Sequence, residues 1–221
     1  MNLKIKTALI FVAAFAAIAA FFFVPAGSLA YWQAWVYLAI LFIPMLFVAA
    51  YLLKNDPALV ERRFKLREKR KAQKKIVDWT HLWFFVGFLI PGLDYRFGWS
   101  HVPLSVVVAA DVLVFVGYAL NFLVLKENSY ASHVVEVVKG QKVISTGPYA
   151  VVRHPMYSAV SLLLLATPLA LGSWIAFAFF APMPFVIAFR ALDEEKMLRQ
   201  KLRGYEAYCG RVRYRIVPFV W

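Results

Sequence analysis

Six apolar stretches alternate with polar or charged segments along the 221 residues of the chain. A membrane-spanning helix needs about 20 predominantly apolar residues, and each stretch meets or approaches that length. The pattern therefore predicts an all-α fold, a polytopic membrane bundle of about six helices. The predicted spans are 7–24, 31–53, 79–93, 102–125, 155–171 and 174–192.

The first span could also be a signal peptide, because small residues follow it at positions 28–30. A second apolar stretch begins at once, with aromatic residues at its start, and this favours a helical hairpin. We divide the chain into residues 1–76, the hairpin with a basic loop, and residues 77–221, the core with a polar tail.

Composition agrees with a membrane protein, because 62% of the residues are hydrophobic and the mean hydropathy is +0.66. The net charge of +13 could suggest nucleic acid, but 24 of the 25 Lys and Arg fall on one side of the predicted topology. Ten of them lie in the segment 54–75, for which we expect a surface helix that contacts anionic headgroups or serves only as a topological anchor. The bias predicts a multi-pass protein with both termini in the cytoplasm, and it makes nucleic-acid binding unnecessary.

Residues 145–157 concentrate polar and aromatic side chains between two apolar regions. Gly147 and Pro148 indicate a turn, and Pro155 suits the first position of a helix. The free N–H groups at such a helix start can receive a carboxylate or another anion.

A second polar cluster lies at the end of the last span, where Arg190 and Glu194 are spaced four residues apart on one helix face. An interfacial ion pair would explain these two residues alone. The last two spans form an antiparallel hairpin, however, so this cluster should meet the His154 end in space. We expect a cytoplasmic pocket there.

These residues resemble the isoprenylcysteine carboxyl methyltransferase family, whose integral-membrane members use S-adenosylmethionine and are related to phospholipid N-methyltransferases. The resemblance rests on Gly147-Pro148-Tyr149, on Arg153-His154-Pro155-Met156-Tyr157, on Glu194-Glu195 and on Tyr205-x-x-Tyr208, and it covers roughly 112–221. Two departures concern the substrate: Leu202-Arg203-Gly204 stands where the family has Phe-Gly, and Gln141 stands where prenylcysteine enzymes tend to have His.

The resemblance implies a set of cofactor-binding residues and two residues on the acceptor side. Arg190 would face the methyl acceptor, and Glu195 would be the catalytic partner if a base is needed. The implied S-adenosylmethionine contacts are Gln141, Lys142, Val143, Ile144, Gly147, Tyr149, Arg153, His154, Pro155, Met156, Tyr157 and Glu194.

The charges of these side chains agree with the division between cofactor-binding and acceptor-binding residues. Glu194 suits the cofactor's amino and sulfonium groups, His154 or the start of the helix at Pro155 suits its carboxylate, and Arg190 can grip an acceptor carboxylate. Transfer to a carboxylate needs no strong base, whereas an amine acceptor must lose a proton, for which Glu195 or Tyr208 would be nearest. The expected partners are a lipophilic or lipidated substrate and membrane lipid.

Three other functions stay open at this point: phospholipid-amine N-methylation, an NADPH-dependent sterol-type reductase, and a non-enzymatic lipid-binding protein. We expect no metal site, because His81, His101 and His133 show no ligand spacing with one another or with Cys209, which is the one cysteine. Asp111 lies in mid-span and should face the bundle interior or a water-filled pocket.

Overall fold

A computed structural model describes the backbone of residues 3–63, 71–130 and 140–221, with the side chains of residues 4, 62–63 and 71–81 left out. The described residues form nine α-helices and one short 3₁₀ helix, Gly147–Ala150. The helices are α1 (Leu3–Ala26), α2 (Trp32–Asn55), α3 (Pro57–Arg63), α4 (Lys71–Phe97), α5 (Leu104–Glu127), α6 (Pro155–Ala170), α7 (Trp174–Phe180), α8 (Met183–Lys201) and α9 (Tyr205–Arg211).

The prediction of an all-helical, polytopic membrane bundle is confirmed. By length and composition, four described segments could each cross a membrane: Ile5–Ala26, Trp32–Asn55, Leu104–Glu127 and Trp174–Lys201. Helix α6 is apolar but shorter, and α4 contains the predicted third span. Of the predicted basic surface helix, the structure describes α3 and the start of α4, while residues 64–70 lie outside the described residues, as do His133 and the His81 side chain.

Helix α4 continues four residues beyond the predicted third span, which ends at residue 93. It ends at Phe97, where Gly98, at φ +63°, donates its N–H to the Asp94 carbonyl at 2.7 Å. A glycine in the left-handed region commonly ends a helix. The last apolar stretch is broken between Phe180 and Met183, because neither Pro182 nor Pro184 can donate a helical N–H.

The N-terminal hairpin packs onto the rest of the bundle rather than standing apart. One core cluster joins residues of α1, α2, α5 and α6, among them Phe22, Tyr37, Val114 and Ala166. At the α1–α4 contact, a Cβ added to Gly92 would lie 2.5 Å from the Phe22 carbonyl oxygen. The proposed division at residue 76 falls inside the continuous helix α4, and it stays a prediction.

A buried carboxylate connects the end of α4 to the turn between α6 and α7. Asp94 is 1% exposed and accepts hydrogen bonds from the Ser100 N–H at 2.7 Å, the Ser100 hydroxyl at 2.6 Å and the Ser173 hydroxyl. Nearby, the Tyr31 hydroxyl donates to the Leu171 carbonyl. These polar contacts hold the helices at one end of the bundle, opposite the end described next.

Asp111 is 8% exposed in the middle of α5, so it faces the bundle interior as predicted. Its neighbours on the same face, including Val107, Ala110 and Val114, are also buried.

Candidate functional site

The other end of the bundle gathers segments that are far apart in sequence. It is formed by the end of α5, residues 140–154, the first turn of α6, the second half of α8, α9 and the tail after it. We call this region the site end. The predicted site residues from the two ends of the α6–α8 hairpin do meet there, through the contacts described below.

The turn before α6 requires a glycine. Gly147 has φ +55°, and a Cβ at this position would lie 3.1 Å from Glu127 Oε2. The Glu127 carboxylate also accepts a hydrogen bond from the Thr146 hydroxyl. The end of α5 therefore fixes the position of the turn Gly147-Pro148-Tyr149.

Tyr149 is held from two sides. Its hydroxyl accepts from Asn128 Nδ2 at 2.7 Å, and its carbonyl accepts from the Tyr208 hydroxyl at 2.7 Å. Burial raises the pKa of Tyr149 to about 12, against the lowering effect of the Asn128 hydrogen bond and with a further rise from the Glu194 charge. The phenol is therefore protonated at neutral pH, and the charge of the Glu194 carboxylate on α8 acts on it.

Glu195 is the centre of a buried ionic cluster. The carboxylate is 3% exposed and lies 2.8 Å from Arg153 Nε, 3.3 Å from His154 Nε2 and 3.2 Å from Arg215 Nε. The Arg153 contact is an ion pair outside hydrogen-bond geometry, while Arg215 Nε donates to Glu195 Oε2. Two arginines and one histidine thus contact the same carboxylate.

The tail completes this cluster by lying along the segment before α6. The Arg153 N–H donates to the Tyr214 carbonyl at 2.9 Å, and the His154 N–H donates to the Arg215 carbonyl at 2.8 Å. One turn further, the Ser158 hydroxyl donates to the Ile216 carbonyl. These hydrogen bonds place the backbone of the tail against the site end.

Glu194 points to a different partner from Glu195, because successive residues of an α-helix lie about 100° apart around the axis. The Tyr157 hydroxyl donates to Glu194 Oε2 at 2.7 Å and accepts from Arg190 Nε at 3.1 Å. The Tyr157 ring also stacks on the His154 ring, with centroids 5.5 Å apart and planes inclined by 22°. One tyrosine of α6 thus connects the acid and the arginine of α8.

The remaining predicted residues lie around this centre. Pro155 is the buried first residue of α6, and Met156 packs against a cluster formed by α2, α3 and α5. Val143 packs against the cluster of α8 and α9 that contains Met197, Tyr205 and Tyr208. Nothing in the described contacts distinguishes Gln141, Lys142 or Ile144 as a ligand, so their cofactor role stays a prediction.

Two residues of the site end were not predicted as members of it. Arg215 lies in the tail, where arginines alternate with apolar or aromatic residues over 211–216. This pattern indicated a tail that lies on the membrane surface or helps to close the cofactor pocket. Asn128 follows α5 directly and orients Tyr149. A single Asn after a helix is common, so the sequence provided no reason to predict this contact. Among the described residues, no three His, Cys, Asp or Glu side chains are placed to hold a metal ion together.

The phospholipid methyltransferase family model matches residues 105–204. This is the family of integral-membrane methyltransferases related to the isoprenylcysteine carboxyl methyltransferases, and the resemblance predicted from the sequence is therefore confirmed. The matched segment contains every predicted site residue and leaves out the N-terminal hairpin. It supports a membrane methyltransferase-like function.

A second similarity concerns a sterol enzyme. The chain is 31% identical over 94 residues to a Delta(14)-sterol reductase of Mus musculus, covering 39% of this chain. The match takes in 22% of the reductase, so the chain spans about a fifth of the length of this curated relative.

Proposed function

We propose that the protein is an integral-membrane methyltransferase that uses S-adenosylmethionine and methylates the carboxylate of a lipophilic acceptor. The observation that carries the proposal is the Tyr157 bridge between Glu194 and Arg190 within the segment matched by the family model. The charge bias of the sequence supports a cytoplasmic orientation of the site end.

The side chains at the site end suit the cofactor chemically. When bound, S-adenosylmethionine supplies a methyl group activated by a sulfonium cation. A carboxylate and aromatic ring faces both stabilise such a cation, and Glu194 lies beside the stacked rings of Tyr157 and His154. The backbone at the start of α6 can receive the cofactor's carboxylate.

The ionic cluster changes the roles that we assign to Arg153 and His154. The sequence suggested the His154 imidazole as a partner of the cofactor carboxylate, but His154 Nε2 is directed to Glu195. We therefore assign that contact to the N–H of Met156 at the start of α6, because Pro155 has no N–H and those of Tyr157 and Ser158 donate to the His154 carbonyl. Arg153, His154 and Arg215 position the turn and the helix start through Glu195.

Arg190 would bind the acceptor carboxylate. It lies where α8 leaves the apolar part of the bundle, next to Phe189, which is 70% exposed. An arginine at such a boundary can hold two carboxylate oxygens while the apolar part of the acceptor stays among apolar side chains. Tyr157 fixes the Nε of this guanidinium and so limits its orientation.

Methylation of a carboxylate requires alignment more than proton transfer. The acceptor oxygen is already ionised at neutral pH, so the chain's task is to bring it in line with the methyl group and to exclude water. Glu195 then acts as the centre of the ionic cluster. Its predicted role as a base applies to an amine acceptor, the phospholipid-amine alternative, and stays a prediction.

The competing candidate is a nicotinamide-dependent sterol-type reductase, favoured by the 31% identity to the mouse enzyme. Calorimetric titration of the purified protein with S-adenosylhomocysteine and with NADPH separates the two. We expect binding of the first and not of the second. NADPH binding without S-adenosylhomocysteine binding would contradict the proposal.

The same titration tests the assignment of Glu194. Replacing it (Glu194→Gln) removes a charge-assisted contact worth about 1.5–3 kcal/mol, so S-adenosylhomocysteine should bind at least about tenfold more weakly. Lys196→Gln is the matched control, because Lys196 is an exposed charge two residues further along α8. Equal affinities of the Glu194→Gln variant and the wild type would refute the assignment.

A further inference from the structure

An apolar cavity of about 330 Å³ lies among α1, α2, α3 and α5. Its volume is at the lower end of the range for small-molecule sites, about 300–1,000 Å³. Its wall includes apolar side chains from all four helices, among them Phe11, Ala49, Leu52, Val60, Phe122 and Leu125.

The cavity lies in the half of the bundle that includes the site end. Its wall is formed in part by the first turns of α1 and the last turns of α2 and α5. The end of α5 also fixes the turn at Gly147. A molecule whose polar end lies at the site end could therefore place an apolar chain in this cavity.

A shared cluster connects the cavity to the candidate site. Leu52, Val60 and Leu125 form part of the cavity wall and belong to one buried cluster with Leu59. Met156 packs against this cluster, and Met156 is the second residue of α6, between His154 and Tyr157. The wall of the cavity and the start of α6 are thus in direct contact.

Most of the wall comes from residues that the family model does not cover. Helices α1, α2 and α3 precede residue 105, where the match begins, while α5 and α6 lie inside it. This arrangement gives the N-terminal hairpin a role beyond membrane anchoring, because the hairpin and the family segment together form the wall of the cavity.

We propose that this cavity binds the aliphatic chain of the methyl acceptor, and that the chain passes the start of α6 so that the acceptor's carboxylate reaches Arg190. The inference rests on the proposed function. The cavity can hold only a limited length of chain, so the affinity should stop rising with chain length once the cavity is full. In this arrangement the N-terminal hairpin determines the length of the chain that is accepted.

The test uses the full-length protein in detergent and a twelve-carbon fatty acid that carries a terminal diazirine. Photo-cross-linked peptides are identified by mass spectrometry, and unlabelled saturated fatty acids of six to eighteen carbons compete with the probe. We expect labelling on α2 and α5, with competition that strengthens about fourfold per methylene until the cavity is full and then levels off.

Two adjacent positions on α2 provide a matched pair of variants. Ala49 lines the cavity, so Ala49→Phe should fill it and reduce the labelling of α2 and α5 at least about tenfold. Ala50 is exposed and is not part of the wall, so labelling of Ala50→Phe should stay within about twofold of wild type. S-adenosylhomocysteine affinity is measured in the same samples and should be the same in all three proteins.

The results that overturn the inference are distinct from those that overturn the proposed function. Labelling that Ala49→Phe leaves unchanged, or competition without a limit in chain length, overturns the cavity assignment while S-adenosylhomocysteine still binds. If the wild type does not bind S-adenosylhomocysteine, the proposed function fails, and the cavity cannot then be assigned to a methyl acceptor.

Discussion

The replacement Glu195→Gln tests the ionic cluster that holds the site end together. Glutamine keeps the size of the side chain but removes the negative charge. Arg153 and His154, each 6% exposed, would then remain buried without the carboxylate that now lies within 3.3 Å of both. We expect the variant to fold and to be less stable.

The expected loss of stability in Glu195→Gln follows from the burial of the ion pair. Breaking a buried ion pair by removing one partner costs about 3–5 kcal/mol, because the other charge stays buried without compensation. The Arg153 and Glu195 side chains are each 5% exposed, so their pair falls in this class. The Arg215 side chain is 28% exposed, so solvent screens its interaction, and Arg215→Gln should cost about 1 kcal/mol or less.

Cys209 offers the assay. It is the one cysteine of the sequence, it is 8% exposed and it packs beside Tyr205 and Tyr208 at the site end. Burial raises the pKa of its thiol, which slows its reaction in the folded protein. A fluorogenic thiol reagent therefore reports thermal unfolding of this region.

Glu195→Gln should lower the midpoint of thiol exposure by about 6–12 °C, if a loss of about 3 kcal/mol corresponds to 2–4 °C per kcal/mol. Arg215→Gln should lower it by less than half as much. A midpoint for Glu195→Gln equal to that of wild type, or a larger effect of Arg215→Gln, would refute the argument that the buried Arg153–Glu195 pair dominates.

Three further predictions concern helix packing, the opposite end of the bundle and the acceptor. Gly92→Val should destabilise the protein by about 1–3 kcal/mol in the same melting assay, because its Cβ would meet the Phe22 carbonyl. Gly210→Ala adds a Cβ into open space within α9 and should not lower the melting midpoint. Asp94→Ala should cost about 1–3 kcal/mol, because it leaves the buried Ser173 hydroxyl and the partly buried donors of Ser100 without their acceptor. An unchanged melting curve would contradict this. Arg190→Ala should abolish methylation of an acidic acceptor, while the affinity for S-adenosylhomocysteine stays within about threefold of wild type. Loss of that affinity would show that the division between cofactor and acceptor residues is wrong.

The sequence predicted the long apolar helices well, because hydropathy over some twenty residues depends little on tertiary contacts. The predicted bounds of α1, α2 and α5 agree with the structure within four residues. The proximity of Tyr157, Arg190 and Glu194 was also predictable, since an antiparallel hairpin returns its two ends to the same surface.

The polar contacts between distant segments could not be predicted in the same way. Glu194 and Glu195 are chemically identical neighbours, and only the packing of α8 against α6 and the tail directs one to Tyr157 and the other to Arg153 and Arg215. The hydrogen bond from Ser173 to Asp94 likewise joins residues 79 positions apart. Such pairs have no periodicity that a sequence pattern could reveal.

The most direct test of the proposed activity is methyl transfer itself. The purified protein is incubated with S-adenosylmethionine carrying a radioactive methyl group and with a lipid extract of membranes, and the lipid product is then treated with base. A carboxyl methyl ester releases its label as methanol, whereas a methylated amine keeps it. We expect base-labile label with the wild type and none with Arg190→Ala. Label that resists base would contradict the assignment of a carboxylate acceptor. No incorporation by a protein that binds S-adenosylhomocysteine would also contradict it.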